Sequence, residues 1–580
     1  MNKNDVAAIL DEIGTLLEIQ GENAFRCNAY HNASRAISNL DRNLGDVVKA
    51  GELKDVPGVG KTMVEKVTEL VNTGKLKYYD DLKKKTPPGL LEMMKIPGMG
   101  PKKIKVLYDD MQIDTIDKLK TACESGEVAK KKGFGAKTAQ KILDGIEVLG
   151  QFNNRVRIDQ AMSMAEQILP ELRKCPEVIR MEVCGSLRRR RETAKDIDIL
   201  VSSDDPAPIM EKFVSLPCVI NVIAHGETKS SVVVECGAGA DRYIMNVDLR
   251  IVKDDLFAFG LHYFTGSKEH NIVMRQRAID RGLKLSEYGL VGDKKSVPAK
   301  DEADIFKALD LEYVRPELRE NHGEIEAAGE NKLPDLIEYD DIQGVFHNHT
   351  TYSDGKATLE DMALAAKQLG FKYLGIGDHS QSLTIANGLS PERVKKQQEE
   401  MDALNKKLKG IKLFKGIECD ILQDGRLDFE DDVLETFDYV VASVHTHFNM
   451  SEEDMTERIV KAMSNPHVTM LGHATGRLIL RREGYKVNLD AVLKAAVKYG
   501  TMVEINAQPL RLDLDWVYCK RAREMGIPLV INPDAHSTDE LALTRYGVFV
   551  AQRGWLEKKD VFNTKSAAEV TKAFNARKKG

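Results

Sequence analysis

The stretch His347-Asn348-His349-Thr350-Thr351-Tyr352-Ser353-Asp354-Gly355 opens a series of histidines and carboxylates in the last part of the chain. In an extended strand, side chains at positions i and i+2 point to the same side, so His347 and His349 can present two imidazoles to one cavity. Asp534 and His536 repeat this spacing. Between these two pairs the series continues through Asp378, His379, Glu418, His445 and His473.

Imidazole and carboxylate ligands without thiolate suit Zn²⁺, Mn²⁺ or iron, and a series with this many candidate ligands has room for two or three ions. Metal clusters of this kind activate water for attack on phosphate esters. The stretch therefore predicts a multinuclear metal site with hydrolytic chemistry.

Short β-like runs alternate with helical segments throughout the region that contains these ligands. The runs span 344–347, 373–376, 412–416, 439–444, 469–471, 502–505 and 529–531. Such alternation predicts parallel strands. Several candidate ligands fall just after a run, which is the end of a strand where the active sites of βα-barrels lie.

Length and composition describe a multidomain protein, because 580 residues are too many for one core. No apolar run has membrane-spanning length, and the first 20 residues predict an amphipathic acidic helix rather than a signal peptide. We therefore expect a cytoplasmic protein with no membrane partner. Eight cysteines without a C-x-x-C pair argue against a disulfide framework or a zinc finger.

Basic runs concentrate in the first third of the chain, although the formal net charge is −6. They are Lys83–Lys85, Lys130–Lys132 and Arg188–Arg191. The pattern predicts a regional basic surface for nucleic acid. Any one of these runs, taken alone, is equally consistent with a solvated helix face.

Three glycine-rich turns occur in the first 150 residues, each followed by a helix-like stretch with lysine. They are Val56-Pro57-Gly58-Val59-Gly60-Lys61, Ile96-Pro97-Gly98-Met99-Gly100-Pro101-Lys102 and Lys132-Gly133-Phe134-Gly135-Ala136-Lys137. They resemble helix-hairpin-helix motifs. The glycines (Gly58, Gly60, Gly98, Gly100, Gly133 and Gly135) permit a tight turn that exposes backbone N–H groups to a DNA phosphate without reading the base.

From about residue 151 the pattern predicts an α+β domain, with β-rich runs at 183–184, 197–201, 231–235 and 244–251 and helices at 160–172 and 207–213. A Gly185-Ser186 turn with arginines precedes Asp196 and Asp198, and Asp248 lies in another apolar strand. Three carboxylates on one sheet face could hold two Mg²⁺ ions about 3.5–4 Å apart. Ser186 and an arginine would hold a triphosphate. The alternative for the two aspartates of one strand is a pair of surface carboxylates.

This order of motifs resembles the family X DNA polymerases, of which DNA polymerase beta is a member. The resemblance extends through Tyr263-Phe264-Thr265-Gly266-Ser267 to Asn271 and Arg275 and covers residues 1–318. It implies that Asp196, Asp198 and Asp248 bind two catalytic Mg²⁺ or Mn²⁺ ions. The substrate contacts that it implies are Arg155, Gly185, Ser186 and Arg189 at the triphosphate, Tyr263, Phe264 and Gly266 at the nucleotide, and Asn271 and Arg275 in the minor groove.

Three positions depart from this family or leave its chemistry open. Asn246 stands where eukaryotic relatives carry an arginine, and Lys268 where they carry an acidic residue, so fidelity and nucleotide affinity are expected to differ. Lys66 takes the place of the lysine that forms a Schiff base with an abasic deoxyribose. That role requires a lowered pKa, and a helix lysine that contacts phosphate is the alternative.

The stretch His347–Gly355 and the later Gly377-Asp378-His379-Ser380 resemble the opening motifs of a polymerase and histidinol phosphatase (PHP) domain. The motifs around Glu418, His445, His473 and Asp534 continue that order over residues 340–575. The resemblance implies a distorted (β/α)7 barrel with three Zn²⁺, Mn²⁺ or iron ions. The ligands that it implies are His347, His349, Asp354, His379, Glu418, His445, His473, Asp534 and His536.

The combined resemblance implies six segments: a helical lyase-like region (1–88), a fingers-like helical region (89–150), an α+β nucleotidyltransferase palm (151–260), a thumb (261–318), a linker (319–339) and the PHP domain (340–575). We expect a repair polymerase that fills short gaps, with a 3′→5′ exonuclease in the PHP domain. Abasic-site endonuclease or 3′-phosphatase chemistry could use the same metals. The expected partners are gapped or nicked DNA and dNTPs, with a monomer favoured. The alternatives are a phosphoesterase of small phosphorylated metabolites and a non-catalytic DNA-end scaffold.

Overall fold

The computed structural model describes residues 1, 3–40, 42–94, 96, 99–149, 155–237, 242–292 and 295–578. The chain divides into two compact units, residues 1–154 with 214–247 and residues 155–213 with 248–580. Among the described residues, no helix is both long and apolar enough to cross a membrane.

Helices account for the regular structure of the first 149 residues. They are α1 (Lys3–Gln20), α2 (Ala24–Ser38), α3 (Leu44–Ala50), α4 (Lys61–Thr73), α5 (Lys77–Lys85), α6 (Pro88–Met93), α7 (Pro101–Met111), α8 (Ile116–Glu124), α9 (Glu127–Lys130) and α10 (Gly135–Leu149). Apolar side chains of α1 to α5 form one core, and mainly those of α6 to α10 form another. The three glycine-rich turns directly precede α4, α7 and α10.

The palm and thumb follow in alternating helices and strands. They are β1 (Val156–Arg157), α11 (Ile158–Arg173), β2 (Arg180–Val183), α12 (Gly185–Arg188), β3 (Thr193–Ala194), β4 (Asp196–Ser202), α13 (Ala207–Val214), β5 (Val219–His225), β6 (Lys229–Cys236), β7 (Tyr243–Val252), α14 (Phe257–Thr265), α15 (Lys268–Ile279), β8 (Leu283–Ser286), β9 (Gly289–Gly292), β10 (Lys295–Val297), α16 (Glu302–Ala308) and α17 (Glu324–Gly329).

Strand β4 sets the direction of the palm carboxylates. Ile197 and Ile199 are buried, whereas Asp196 and Asp198 are half-buried, as the period-2 alternation of a strand requires. Strand β2 pairs antiparallel with β4, and β5 pairs antiparallel with β6. Strand β5 was not among the β-like runs predicted from the sequence. Its residues are half-buried or exposed, but the run is mostly apolar and so lacks the alternation of apolar and polar residues that is typical of a half-exposed strand.

The segment 319–339, which the sequence indicates as a linker, is packed rather than open. Arg319 is fully buried, and only 4% of Glu320 is exposed. Ile325 and Ala328 of α17 join the apolar core of the thumb. The segment is therefore held through buried ion pairs, and its role as the linker between two domains stays a prediction. The other domain boundaries stay predictions.

The last region alternates strands and helices, as predicted. They are β11 (Gly344–Asn348), α18 (Leu359–Gln368), β12 (Tyr373–Ile376), α19 (Pro391–Lys407), β13 (Lys412–Phe414), β14 (Gly416–Asp420), α20 (Asp431–Leu434), β15 (Tyr439–Ser443), α21 (Glu452–Met463), β16 (Met470–Leu471), α22 (Leu489–Tyr499), β17 (Met502–Asn506), α23 (Trp516–Glu524), β18 (Leu529–Asn532), α24 (Thr544–Arg553) and α25 (Ala567–Arg577).

These strands form two parallel sheets, β11-β12-β13 and β14-β15-β16-β17-β18. The run predicted as one strand at 412–416 is two strands, one in each sheet. The backbone of His349 donates to Ala535 (2.8 Å) and that of Ser380 donates to Glu418 (3.0 Å), which joins the ends of the sheets. An aromatic core that includes Phe346, Tyr373, Phe414, Tyr439, Phe562 and Phe574 lies among these strands and α25.

Candidate active sites

The structure brings all nine predicted PHP ligands into one cluster. Four groups of side chains have ligand atoms close enough to share a cation, and they overlap in His347, His349, His379 and Glu418. The groups are His349, Asp354, His379 and His536; His347, His349 and Asp534; His347, Glu418 and His473; and His379, Glu418 and His445. Overlapping groups suit adjacent ions that share bridging carboxylates.

Glu418 lies at the centre of this cluster. Its carboxylate oxygens are 2.9 Å from His379 Nδ1, 2.9 Å from His473 Nε2 and 3.2 Å from His445 Nε2. Asp534 Oδ1 lies 3.0 Å from His349 Nε2. The cluster is mostly buried, with Asp354 (35% exposed) and His536 (30% exposed) on its open side.

Unpartnered nitrogens provide a test of whether these residues fit metal ions. His347 Nε2, His379 Nδ1 and both ring nitrogens of His349 are buried and make no hydrogen bond of regular geometry, although carboxylate oxygens lie near them. A buried polar atom without a partner is costly, and coordination to a cation removes that cost. The donor set of imidazole and carboxylate fits Zn²⁺, Mn²⁺ or iron.

A set of residues that the sequence did not reveal orients the ligands from behind. Glu504 of β17 is fully buried and accepts from His347 Nδ1 (2.6 Å) and from the backbone of His473 (3.2 Å). Asn506 donates to both Glu504 (2.9 Å) and Asp534 (3.0 Å). Such outer partners fix the tautomer and the ring orientation of metal ligands.

Two further buried carboxylates have the same supporting role. Asp420 lies two residues after Glu418 on β14 and contacts His445 Nδ1. Asp378, an early candidate of the series, accepts from the backbone and hydroxyl of Thr350 (2.8 and 2.7 Å) and from Gln397 (2.6 Å). Asp378 therefore holds the loop after β11 rather than contributing to the four ligand groups.

The backbone of two ligands is held in an uncommon conformation. His347 and Asp534 have φ of 56° and 51°. Left-handed backbone at residues other than glycine costs roughly 1–3 kcal/mol and persists where the surroundings enforce it. Here the hydroxyl of Tyr439 donates to the Ile376 carbonyl (2.6 Å) and accepts from the backbone N–H of His347 (3.2 Å).

The charges of the cluster affect its protonation. Burial and the neighbouring imidazoles of His536 and His379 lower the pKa of His349 to about 3, which keeps it neutral as a metal ligand must be. Although burial opposes it, the carboxylates of Glu418 and Asp354 raise the pKa of His379 to about 10. The centre therefore contains imidazoles in two very different electrostatic settings.

The polymerase candidates are more open. Asp196, Asp198 and Asp248 are half-buried on β4 and β7. Burial, together with the Asp248 carboxylate, raises the pKa of Asp196, although Lys195 opposes this. Gly185 has φ of 62°, and a Cβ there would lie 2.4 Å from Asp198 Oδ2, so only glycine lets the turn approach this carboxylate.

Side chains of the run Arg188–Arg191 form ion pairs and hydrogen bonds inside the protein. Arg188 pairs with Glu302 (2.7 Å), and Arg189 donates to Glu320 (3.0 Å) and to the Thr265 carbonyl (2.8 Å). Only 8% of Arg189 is exposed. The guanidinium of Arg189 therefore lies in a buried ion pair, and its contact with a triphosphate stays a prediction.

Arg155 remains near the palm carboxylates. Its guanidinium donates to the hydroxyl and the carbonyl of Thr193 (both 2.8 Å). Burial and then the charge of Arg191 lower its pKa, whereas Asp196 opposes that shift. Ser186 follows Gly185 in α12 and is half-buried.

The predicted nucleotide contacts of the thumb lie around the end of α14. The Tyr263 and Phe264 rings meet edge to face (5.2 Å), and Arg250 of β7 lies 4.7 Å above Phe264. Asn271 donates to the Tyr263 and Gly266 carbonyls (2.8 and 3.3 Å), which fixes the turn at Gly266. The exposed Arg275 follows one helical turn later.

Lys66 and the glycine-rich turns belong to the first unit. Burial and the charge of Arg26 lower the pKa of Lys66, although Glu69 opposes this, and its Nζ lies 3.8 Å above the Tyr78 ring. A lyase role for Lys66 stays a prediction.

Gly60 and Gly100 cap α4 and α7, and a Cβ at either position would meet nothing within 4 Å. Gly58, Gly133 and Gly135 have positive φ, and Gly98 lies outside the described residues.

Models of four domain families match this chain. They are the DNA polymerase beta thumb (260–320), a helix-hairpin-helix domain (1–76), a SAM-like helix-hairpin-helix tandem (90–147) and the PHP domain (346–508).

Three relatives illustrate the similarity. DNA polymerase/3'-5' exonuclease PolX of Bacillus subtilis (strain 168) is 39% identical over 574 residues, which cover 98% of this chain and 99% of the relative. DNA polymerase lambda of Rattus norvegicus is 25% identical over 54% of this chain and 55% of its own length. A probable phosphatase of Thermoanaerobacter sp. (strain X514) is 26% identical over 38% of this chain and 89% of its own length.

Proposed function

The chain belongs to the family X DNA polymerases that carry a C-terminal PHP domain, and we propose that it fills short gaps in DNA at the palm and trims 3′ ends at the PHP centre. It is a DNA polymerase and a 3′→5′ exonuclease. The relative that carries this assignment matches nearly the whole chain, so we do not retain the metabolite phosphatase or the DNA-end scaffold as alternatives.

At the palm, Asp196, Asp198 and Asp248 would hold two Mg²⁺ or Mn²⁺ ions. Such ions lower the pKa of a primer 3′-hydroxyl and neutralise the leaving pyrophosphate. The Gly185-Ser186 turn and Arg155 would bind the triphosphate, and Tyr263 and Phe264 would limit the space at the sugar. The half-buried aspartates and the close approach of Gly185 to Asp198 support this assignment.

At the PHP centre, the nine clustered side chains would hold three ions, with Zn²⁺, Mn²⁺ and iron as the candidates. Such ions generate a hydroxide nucleophile at neutral pH and polarise a phosphodiester. Glu504 and Asp420 contact the Nδ1 atoms of His347 and His445 and so fix the orientation of these imidazoles. The unpartnered imidazole nitrogens support the assignment. Abasic-site endonuclease and 3′-phosphatase activity would use the same residues.

The DNA partner would be gapped or nicked duplex, held through its backbone by the helix-hairpin-helix turns. Helix N-termini at Gly60 and Gly100 offer unshielded N–H groups for phosphate. We propose that the protein acts as a monomer.

A time course on a 5′-labelled primer in gapped DNA, with and without dNTPs, tests the proposal. We expect Asp196→Ala/Asp198→Ala to abolish extension while primer shortening continues, and His347→Ala/His349→Ala to do the reverse. The proposal fails if either double variant loses both activities while it folds normally, because the two chemistries would then share one site.

A further inference from the structure

A short loop begins at a PHP ligand and presents one apolar side chain to solvent. Ligand His379 is followed by Ser380, and the loop 381–388 returns at Leu389, whose backbone donates to the His379 carbonyl (2.8 Å). At its tip lies Ile385, which is 93% exposed. Among the large apolar side chains of the described residues, Ile385 has the greatest exposed fraction.

Hydrogen bonds fix the first half of this loop. The backbone of Ser382 donates to Asp428 (2.7 Å), and its hydroxyl donates to Asp420 (2.9 Å), the same carboxylate that contacts ligand His445. Thr384–Ala386 form a 3-10 turn whose Ala386 is buried. The orientation of this turn is therefore constrained by Asp420, which also contacts the predicted ligand His445.

The second half is equally constrained. Asn387 has φ of 56°, and its side chain donates to the carbonyls of Tyr352 and Ser353 (both 3.2 Å). Arg393 donates to the carbonyls of Asn387 (2.8 Å) and Gly388 (3.0 Å). A Cβ at Gly388 would lie 1.9 Å from the Ser380 carbonyl oxygen, so the loop can close only with glycine there.

The loop that carries Ile385 contacts the segment that leads to the open side of the centre. Asn387 contacts Ser353, which directly precedes Asp354, the most exposed of the nine ligands. Ile385 is two residues before Asn387, so the Cα atoms of these residues lie within about 8 Å of each other. Ile385 is therefore close to the segment that contains Tyr352 and Ser353. A single exposed aliphatic side chain is ordinary on a protein surface. Here the loop that carries Ile385 is fixed by hydrogen bonds, and one of its partners, Asp420, also contacts the predicted ligand His445.

The substrate of the proposed exonuclease explains such a feature. The ligands are mostly buried, so the terminal phosphodiester of a duplex reaches them only after its nucleotide leaves the stack. Proteins unstack DNA by inserting apolar side chains, isoleucine among them, between base steps. We propose that Ile385 is a wedge that separates the 3′-terminal base pair and so determines activity on paired ends. This inference rests on the proposed 3′→5′ exonuclease.

The test compares Ile385→Ser with wild type on three 5′-labelled substrates: a single strand, a duplex with a mismatched 3′ end and a duplex with a matched 3′ end. We expect Ile385→Ser to slow removal from the matched end by roughly tenfold, and to leave the single strand and the mismatched end within about twofold of wild type. Val497→Ser is the matched control, because Val497 of α22 is also exposed (53%) and is not a ligand.

A second readout does not depend on hydrolysis. With 2-aminopurine at a matched 3′ end and a terminal phosphorothioate linkage, wild-type protein should raise the fluorescence on binding, and Ile385→Ser should not. Equal matched-to-single-strand rate ratios and equal fluorescence in wild type and Ile385→Ser would overturn the wedge. If wild type shortens none of the three substrates, the exonuclease proposal itself fails, which the fluorescence measurement distinguishes from failure of the wedge alone.

Discussion

The palm and the PHP centre both gather carboxylates at strands, yet they differ in how much of the site the protein builds by itself. The PHP centre has nine side chains in four overlapping groups of possible metal ligands, and Glu504, Asp420 and Asn506 hold members of these groups from behind. The palm has three half-buried aspartates on two strands. Mg²⁺ keeps waters and uses substrate phosphates as ligands, so a sparse carboxylate site is sufficient when the nucleotide supplies the rest.

The comparison teaches that the two chemistries place different demands on the fold. The PHP cluster combines left-handed backbone at His347 and Asp534 with a layer of buried supports, so we expect it to bind ions before any substrate arrives. A polymerase site can be completed by the incoming dNTP.

The largest effects are expected from removal of the ligands themselves. Asp196→Ala/Asp198→Ala and His347→Ala/His349→Ala should each lower their own activity by roughly 10³-fold, because metal-assisted chemistry contributes several kcal/mol to the barrier. Elemental analysis of protein purified without chelator should show that only the histidine variant loses bound metal. Loss of tightly bound metal from the aspartate variant would break the comparison.

The second largest effect is expected from a substitution at the junction between the palm and the PHP domain. Glu320 is buried and pairs with Arg189 (3.0 Å) and Arg553 (3.0 Å), so Glu320→Ala leaves two buried guanidinium groups without their carboxylate. We expect a loss of about 3–5 kcal/mol in the free energy of unfolding, measured by urea denaturation.

The matched control for Glu320 is Glu360→Ala, which breaks an exposed pair with Lys407 (2.6 Å) and should cost less than about 1 kcal/mol. Similar losses in the two variants would show that the junction contributes no more than a surface pair.

Support of the ligands gives a smaller effect. Glu504→Gln keeps the shape of the side chain but removes the charge that holds His347, and we expect metal affinity at the PHP centre to fall by about 10–100-fold. Competition with a chromogenic chelator measures this, and extension by the palm should stay unchanged. Asp424→Asn, an exposed carboxylate of the same domain (50% exposed), should leave metal affinity unaltered.

The smallest effect is expected from the glycine-rich turns that we propose to bind the DNA backbone. Gly60→Ser/Gly100→Ser preserves good N-caps but places atoms where a phosphate would approach, so DNA affinity should fall by about tenfold with little change in stability. Fluorescence anisotropy with gapped DNA measures the affinity. An unchanged affinity would show that these turns do not contact the backbone.

Much of the PHP centre could be predicted because its ligands are rare residue types that follow strands in a regular order. Glu504 was missed, although a lone carboxylate within Met502-Val503-Glu504-Ile505 signals a buried partner. Asp420 carried a similar signal, since it lies two residues after Glu418 on one strand.

The buried setting of the arginine run and of the segment 319–339 could not be predicted from the sequence. Arg189 finds Glu320 131 residues away in the chain, and a pairing over that distance leaves no local pattern. A run of charge looks the same in the sequence whether it faces solvent or fills a buried ionic network.

The buried contact between Arg189, Glu320 and Arg553 joins three segments that are far apart in the sequence and lie in one compact unit. If this contact keeps the two centres at a fixed separation, a primer end must travel between them rather than be carried by a moving domain. The next addition and the departure of the primer would then compete, and we expect a low dNTP concentration to favour trimming.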